Sequence, residues 1–119
     1  MLKLEELEVY RLAMEIGEEV WKTVDDWKPF AKRTVGEQLV EAADSIAANL
    51  SKGYGRFHYK ENKQFCYYSR GSLMETKTFL TKAKNRNLIS DKEFDGTIEK
   101  LKTTHLKLNA YIKSIGKRI

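Results

Sequence analysis

The sequence has few of the residues that interrupt helices or cross-link chains. One Pro and seven Gly in 119 residues leave few breaks, which favours a few long helices over many short strands. A single Cys cannot form an intramolecular disulfide, so a disulfide framework is excluded and a reducing cytoplasm is the expected location. We therefore expect residues 1–119 to form a single small helical domain in the cytoplasm.

Long apolar runs are also missing. No stretch approaches the ~20 apolar residues that a membrane-spanning helix needs, and the acidic start of the chain does not resemble a signal peptide. With 41% hydrophobic and 33% charged residues, the composition is not that of a disordered chain either. We expect a folded protein with no membrane association.

Charge is unevenly distributed along the chain. Residues 1–28 contain four basic and eight acidic groups, whereas residues 58–88 contain seven basic and two acidic groups. From Lys100 to the end there are six basic residues and no acid. The net charge of +5 therefore comes from the second half, which indicates either a basic surface for nucleic acid or a solvated helix face.

Apolar residues recur at helical spacing in the first half of the chain. Residues 4–27 contain two adjoining lines of apolar residues, and Lys28 before Pro29 ends this first helix. A second helix is predicted to begin at Thr34, with Thr34 as the N-cap and Glu37 completing a capping box. This helix continues to about Tyr54, where Gly53 and Gly55 indicate a turn.

Two further helices are predicted in the second half. The third runs from about Lys60 to Asn87 and has an unusually polar inner face. The fourth follows Ser90, which forms a capping box with Glu93. Four helices of about 33 to 42 Å joined by short loops predict an all-α fold, an antiparallel up-and-down four-helix bundle. The surplus of apolar and aromatic residues predicts a homo-oligomer.

The residues needed for common bundle chemistry are missing. A di-iron site needs Glu-x-x-His pairs, but the residues three before His58 and His105 are Gly55 and Lys102. Two His and one Cys do not make a zinc set, and we expect Cys66 to be a packing thiol. No phosphate-binding loop or nucleophile elbow occurs, so we expect no catalytic residues, no metal, no cofactor and no enzymatic activity.

Two groups of polar residues stand at apolar positions of neighbouring helices. Ser45 and Asn49 are four residues apart on the second helix, and Ser72 and Glu75 are one turn apart on the third. Polar groups at such positions must be hydrogen-bonded, and a satisfied network would fix the register of the two helices. A ligand site is the alternative interpretation.

The same two segments carry a family resemblance. The run Ser45–Arg56 reads Ser-Ile-x-x-Asn-Leu-x-x-Gly-x-Gly-Arg and is followed by Phe65 and a Gly-Ser-Leu-x-Glu motif. This pattern resembles the 23S ribosomal RNA intervening-sequence proteins, also called the S23 or four-helix-bundle family. As structural motif residues the resemblance singles out Ser45, Asn49, Gly53, Gly71, Ser72 and Glu75. The sequence departs from the family pattern at Lys52, where an acid is usual, and in the loop at Pro29–Lys32.

The resemblance implies an antiparallel four-helix bundle that assembles into a ring-like homopentamer without known enzymatic activity. The family also resembles the accessory protein of diversity-generating retroelements, a basic pentameric bundle that binds nucleic acid and a reverse transcriptase. These relatives suggest RNA, DNA or a nucleic-acid enzyme as the partner.

The leading hypothesis is a non-enzymatic oligomer that binds nucleic acid, with structured RNA favoured, through its basic third and fourth helices. No recognition-helix motif or stacking signature is evident, so contacts are expected to depend on charge and shape. The candidate nucleic-acid-binding residues are Arg56, Lys60, Lys63, Arg70, Lys77, Lys82, Lys84, Arg86, Lys113, Lys117 and Arg118. The alternative is a protein-interaction scaffold, for example an accessory subunit of a reverse transcriptase or other enzyme. A third hypothesis, a small-molecule or metal-binding bundle, is disfavoured because the sequence lacks the sets of metal-ligating residues.

Overall fold

The computed structural model describes residues 3–117, which form four long helices and no strand. The long helices are α1 (Glu8–Asp25), α2 (Glu37–Tyr54), α3 (Tyr59–Asn85) and α4 (Asp91–Ser114). A 3₁₀ turn at Leu4–Glu6 precedes α1, and two short helical segments, Pro29–Ala31 and Lys32–Gly36, lead into α2. The predicted all-α fold is confirmed.

The four helices form an antiparallel up-and-down bundle. Helices α1 and α3 each pack against both α2 and α4. Glu8 at the start of α1 pairs with Lys107 of α4 at 2.9 Å. Glu15, seven residues later on α1, pairs with Lys100, which is seven residues earlier on α4, at 3.1 Å. This order fixes α1 and α4 as antiparallel, and the described molecule measures 51 × 23 × 20 Å.

The start of the second helix differs from the sequence prediction. Pro29 begins a helical turn that continues through a π-helical segment into α2. Thr34 therefore lies inside the helix, and its hydroxyl donates to the carbonyl of Phe30 at 2.8 Å instead of capping an N-terminus. The capping box predicted for Thr34 and Glu37 is wrong, because Pro29 already has the backbone angle that a first helical residue needs. The box at Ser90 and Glu93 is confirmed, with the Glu93 N–H donating to Ser90 Oγ at 3.1 Å.

The apolar residues of α1 divide between the core and the surface. Ala13, Ile16 and Val20 are buried, whereas Met14 is 46% and Trp21 57% exposed. Helix α2 crosses close to α1 at Gly17, where an added Cβ would lie 2.8 Å from Asp44 Oδ1. Glycine at this position allows the two backbones to approach.

The polar residues of the bundle core are hydrogen-bonded, but not as the sequence predicted. The buried Ser69 hydroxyl of α3 donates to the backbone carbonyl of Ile46 on α2 at 2.8 Å, and this bond joins the two helices. Ser45 donates to a carbonyl of its own helix, and Asn49 Nδ2 donates to the Ser45 carbonyl at 3.0 Å. Glu75 is exposed. Ser69, not the predicted network, therefore links α2 to α3.

Candidate nucleic-acid interface

The turn between α2 and α3 lies beside the C-terminal end of α4. The ring of Tyr59 lies against Gly116, where an added Cβ would be 3.2 Å from Tyr59 Cδ2. One turn further along α3, the Asn62 side-chain amide donates to the Tyr111 hydroxyl oxygen at 3.5 Å. The antiparallel packing thus brings together residues about fifty positions apart in the sequence.

Six basic side chains come to this end of the bundle. We call it the basic end and define it by Lys52, Arg56, Lys60, Lys63, Lys113 and Lys117. Lys63 is half-buried and the other five are exposed. Residues 52–63 and 108–117 contain these six cations and one acid, Glu61.

The 3₁₀ turn before α1 and the start of α1 also reach this end of the bundle. They bring two acids, Glu5 and Glu6, together with two bases, Lys3 and Arg11. Glu8 is paired with Lys107, and that hydrogen bond and the charge of Lys107 lower the pKa of Glu8. The net sign of the basic end is therefore unchanged by α1.

Gly53 holds the turn close to α3. A Cβ on Gly53 would lie 2.7 Å from Asn62 Oδ1, 2.9 Å from the Asn62 carbonyl oxygen and 3.0 Å from Phe65 Cβ. Only glycine fits this approach without displacing the helix. The glycine of the family motif therefore sets where Arg56 and the start of α3 are presented.

The tip of the basic end also carries exposed aromatic rings. Phe57 is 90% and Tyr59 57% exposed, and the Phe57 and His58 rings meet edge to face with centroids 5.0 Å apart. The Arg56 guanidinium lies 4.7 Å from the centroid of the Phe65 ring. The sequence predicted a turn here and nucleic-acid contacts by Arg56 and Lys60, but no stacking signature. The available signal was the alternation of aromatic and basic residues at positions 56–60.

Two of the other predicted cations, Arg70 and Lys84, have partners within the fold. Arg70 donates to Asn109 Oδ1 at 2.8 Å and lies 5.2 Å from the centroid of the Tyr67 ring. Lys84 lies 3.8 Å from Asp91 Oδ1 and 4.5 Å from the centroid of the Phe94 ring. These cations are held in place by contacts along α3 and α4 and do not extend the basic end.

The remaining predicted cations lie away from the basic end or outside the described residues. Lys77 is exposed on α3, and Lys82 and Arg86 are exposed near its far end. At the helical rise of ~1.5 Å per residue, Lys82 is about 28 Å from Lys63 along α3. Arg118 lies outside the described residues. The structure therefore divides the predicted set and gathers five of its members, Arg56, Lys60, Lys63, Lys113 and Lys117, at one end.

The other motif residues of α3 do not line the basic end. Gly71 is exposed, and a Cβ added there would meet nothing within 4 Å. Ser72 is buried, and its carbonyl accepts the Thr76 hydroxyl at 2.8 Å. Of the six structural motif residues, only Gly53 therefore shapes the candidate interface directly.

Away from the basic end, the side of the bundle formed by α1 and α2 is acidic and carries a groove. A groove of about 370 Å³ lies between the two helices, with an apolar floor and a charged rim. It is lined by Trp21, Val24, Gly36, Val40, Asp25, Glu37, Glu41 and Lys32. Further along the same side, burial and the nearby charge of Glu18 raise the pKa of Asp44. This surface suits a positively charged or amphipathic partner and not a polyanion.

Cys66 is the thiol of the bundle core. Burial raises the pKa of the Cys66 thiol to about 11, so the thiol is protonated at neutral pH, and its sulfur lies 3.8 Å from Asn62 Oδ1. The predicted packing role of Cys66 is confirmed by its complete burial. Within residues 3–117, no group of three or more His, Cys, Asp or Glu side chains is placed to hold a metal ion. None of the helices in that range is long and apolar enough to cross a membrane.

The fold and the charge distribution define a small antiparallel four-helix bundle with a basic end and an acidic side. The sequence matches the 23S rRNA-intervening sequence protein family over residues 5–110. The chain belongs to this family.

A solved structure supports the fold. The chain is similar to the crystal structure of a protein of unknown function from the S23 ribosomal protein family of Bacteroides thetaiotaomicron. The TM-score is 0.79 at 14% identity, and the match covers 88% of this chain and 98% of the other. No curated protein matches the sequence significantly. At this identity the similarity concerns the fold alone.

Proposed function

We propose that this protein is a non-enzymatic nucleic-acid-binding protein that contacts structured RNA with its basic end. The observation that carries the proposal is the convergence of six cations from the α2–α3 turn and the end of α4. The name of the family connects its members with 23S rRNA, and this supports RNA over DNA as the partner.

The geometry favours binding through phosphates. The cations are mostly exposed lysines on long side chains, which act as point charges for phosphate and do not read bases. If all six contact phosphates, log affinity should fall with log salt with a slope of about −4 to −5. A slope of this size would distinguish backbone binding from a single adventitious ion pair.

A filter-binding titration against fragments of structured rRNA tests the proposal. The double variant Lys60→Gln with Lys117→Gln should weaken binding and reduce the salt slope by about two. The matched control, Lys82→Gln with Arg86→Gln, removes the same charge at the far end and should retain the wild-type slope. Absent binding at ~50 mM salt, or binding that is indifferent to salt, would overturn the proposal.

We also propose that the protein acts as a homo-oligomer in which the acidic side of one copy meets basic helices of another. Helix α1 has two basic and five acidic residues, whereas α3 has six basic and two acidic residues. Each side also exposes large apolar groups, Trp21 on α1 and Met74 on α3. Complementary charge around an apolar centre is typical of specific interfaces. Light scattering should give several times 13.9 kDa, five times if the resemblance holds, and a monomer at micromolar concentration would contradict this.

A protein-interaction scaffold is the second candidate function, and the acidic groove between α1 and α2 favours it. The groove combines an apolar floor with acids at Asp25, Glu37 and Glu41, which suits a basic amphipathic segment of another protein. Pull-down from nuclease-treated lysate separates the two functions. A protein that stays bound after nuclease treatment and is lost with Trp21→Ala supports the scaffold, whereas loss of all partners on nuclease treatment supports nucleic acid.

A further inference from the structure

We propose that the tip of the basic end binds unpaired nucleotides by stacking their bases on Phe57 and Tyr59. The inference rests on the proposed function and specifies its ligand: the RNA is single-stranded where it meets the protein. The tip is defined as residues 56–60, which contain two aromatic residues, His58 and two flanking cations.

The exposure of Phe57 is the first observation. Its side chain is 90% exposed, although removing an apolar ring from water is favourable. Its one ring contact within the described residues is the edge-to-face contact with the His58 ring at 5.0 Å. A face of the phenyl ring is thus accessible to a planar partner such as a nucleobase.

Tyr59 provides a second, better fixed ring. One side of its ring lies against Gly116, whose added Cβ would be 3.2 Å from Cδ2 and 3.4 Å from Cγ. The side chain nevertheless remains 57% exposed. A ring held on one side and accessible on the other is already ordered before a base arrives, which lowers the entropic cost of stacking.

Cationic residues adjoin these rings. Arg56 and Lys60 are the first and last residues of the tip, and Lys117 follows the glycine that touches Tyr59. The N-terminus of α3 is also here, and His58, its N-cap residue, makes no side-chain capping bond. The first N–H groups of a helix lack intrahelical partners and favour anions. Aromatic platforms beside a cationic track are the usual arrangement for binding single strands.

The same geometry does not suit a duplex or a membrane. Bases in a duplex are stacked on each other and present only their edges, so a protruding ring cannot reach their faces. A membrane anchor needs a wide apolar face along a helix, and here two rings stand among cations in a turn. We therefore infer sequence-tolerant binding of loops, bulges or ends, since stacking does not read base edges.

The test compares two RNAs of equal length, an unpaired oligonucleotide and a blunt duplex, by fluorescence anisotropy with the full chain. Phe57→Ala should reduce affinity for the unpaired RNA by about fivefold to 150-fold and leave duplex affinity unchanged. Phe57→Tyr, which keeps an aromatic ring, should retain the affinity. Phe30→Ala removes a ring that is 74% exposed at the far end of the bundle and should leave both affinities unchanged. Lys60→Gln should weaken the binding of both RNAs, because it removes only charge.

The possible results separate this inference from the proposed function. If wild type binds RNA in a salt-dependent way and Phe57→Ala binds the unpaired RNA equally well, stacking is refuted and charge-based binding remains. If wild type binds neither RNA at ~50 mM salt, both proposals fail. If Phe57→Ala loses binding to anionic phospholipid vesicles and not to RNA, the tip is a membrane contact and the inference is wrong. An unchanged thermal midpoint for Phe57→Ala shows that the fold is intact.

Discussion

Replacing Gly53 by Ala tests how closely the α2–α3 turn must approach α3. The added Cβ would lie 2.7 Å from Asn62 Oδ1, 2.9 Å from the Asn62 carbonyl oxygen and 3.0 Å from Phe65 Cβ. The amide oxygen can rotate away, but the carbonyl and the Phe65 Cβ move only with the backbone of α3. Overpacking of this kind costs about 1–3 kcal/mol, while Ala in a helix gains about 1 kcal/mol over Gly.

Gly71→Ala supplies the matched control. Gly71 lies in the middle of α3, and its added Cβ would meet nothing within 4 Å, so only the helix propensity gain of about 1 kcal/mol applies. The gain is common to both variants, so it cancels when their free energies of unfolding are subtracted. The remaining difference should equal the packing cost, about 1–3 kcal/mol in favour of Gly71→Ala.

Urea denaturation followed by circular dichroism at one fixed protein concentration measures both variants, since oligomer stability depends on concentration. Equal stability of Gly53→Ala and Gly71→Ala would refute the reasoning, because it would mean that α3 accommodates a methyl group at the turn. A destabilised Gly53→Ala with reduced RNA affinity at a temperature where it is fully folded would connect the close approach with presentation of the basic end.

Three further outcomes are expected. Ser69→Ala should destabilise the bundle by about 1 kcal/mol, because it removes the hydrogen bond between α2 and α3, whereas Ser45→Ala should cost less than about 0.5 kcal/mol; urea denaturation measures both. With its pKa raised to about 11, the Cys66 thiol should be ~0.1% ionised at pH 8 and react with iodoacetamide only after denaturation; rapid native labelling would contradict its burial. Lys107 lowers the pKa of Glu8, so the ion pair stabilises the fold above the unfolded pKa of Glu8, and this stability is lost as the pH falls through the folded pKa. Lys107→Gln should return the pKa of Glu8 toward 4.5 in an NMR titration. An unchanged pKa would exclude the ion pair in solution.

Capping patterns in the sequence predicted one helix start correctly and another wrongly. Ser90 and Glu93 form the expected capping box, because a Ser hydroxyl and a Glu three residues later satisfy each other's backbone N–H groups. The same pattern failed at Thr34, because the helix had already begun at Pro29. A capping pattern is therefore informative only where no earlier residue begins the helix.

Packing decided which apolar and polar residues are buried. Trp21 and Ile16 lie on adjoining lines of α1, and hydrophobicity alone does not choose between them. In the bundle Ile16 is fully buried and Trp21 is 57% exposed. Similarly, Ser69 rather than Ser45 bonds across helices, because the choice depends on which carbonyl of the neighbouring helix lies opposite.

The sequence by itself determined the four helices and the separation of acidic and basic charge along the chain, because these depend on local spacing and composition. The tertiary structure alone decided that Lys60 and Lys117 lie at one end of the bundle and that Phe57 stands exposed among the cations. Antiparallel packing joins positions about fifty residues apart, and no local pattern encodes that pairing. The candidate interface therefore arises from the arrangement of the helices and not from any one segment.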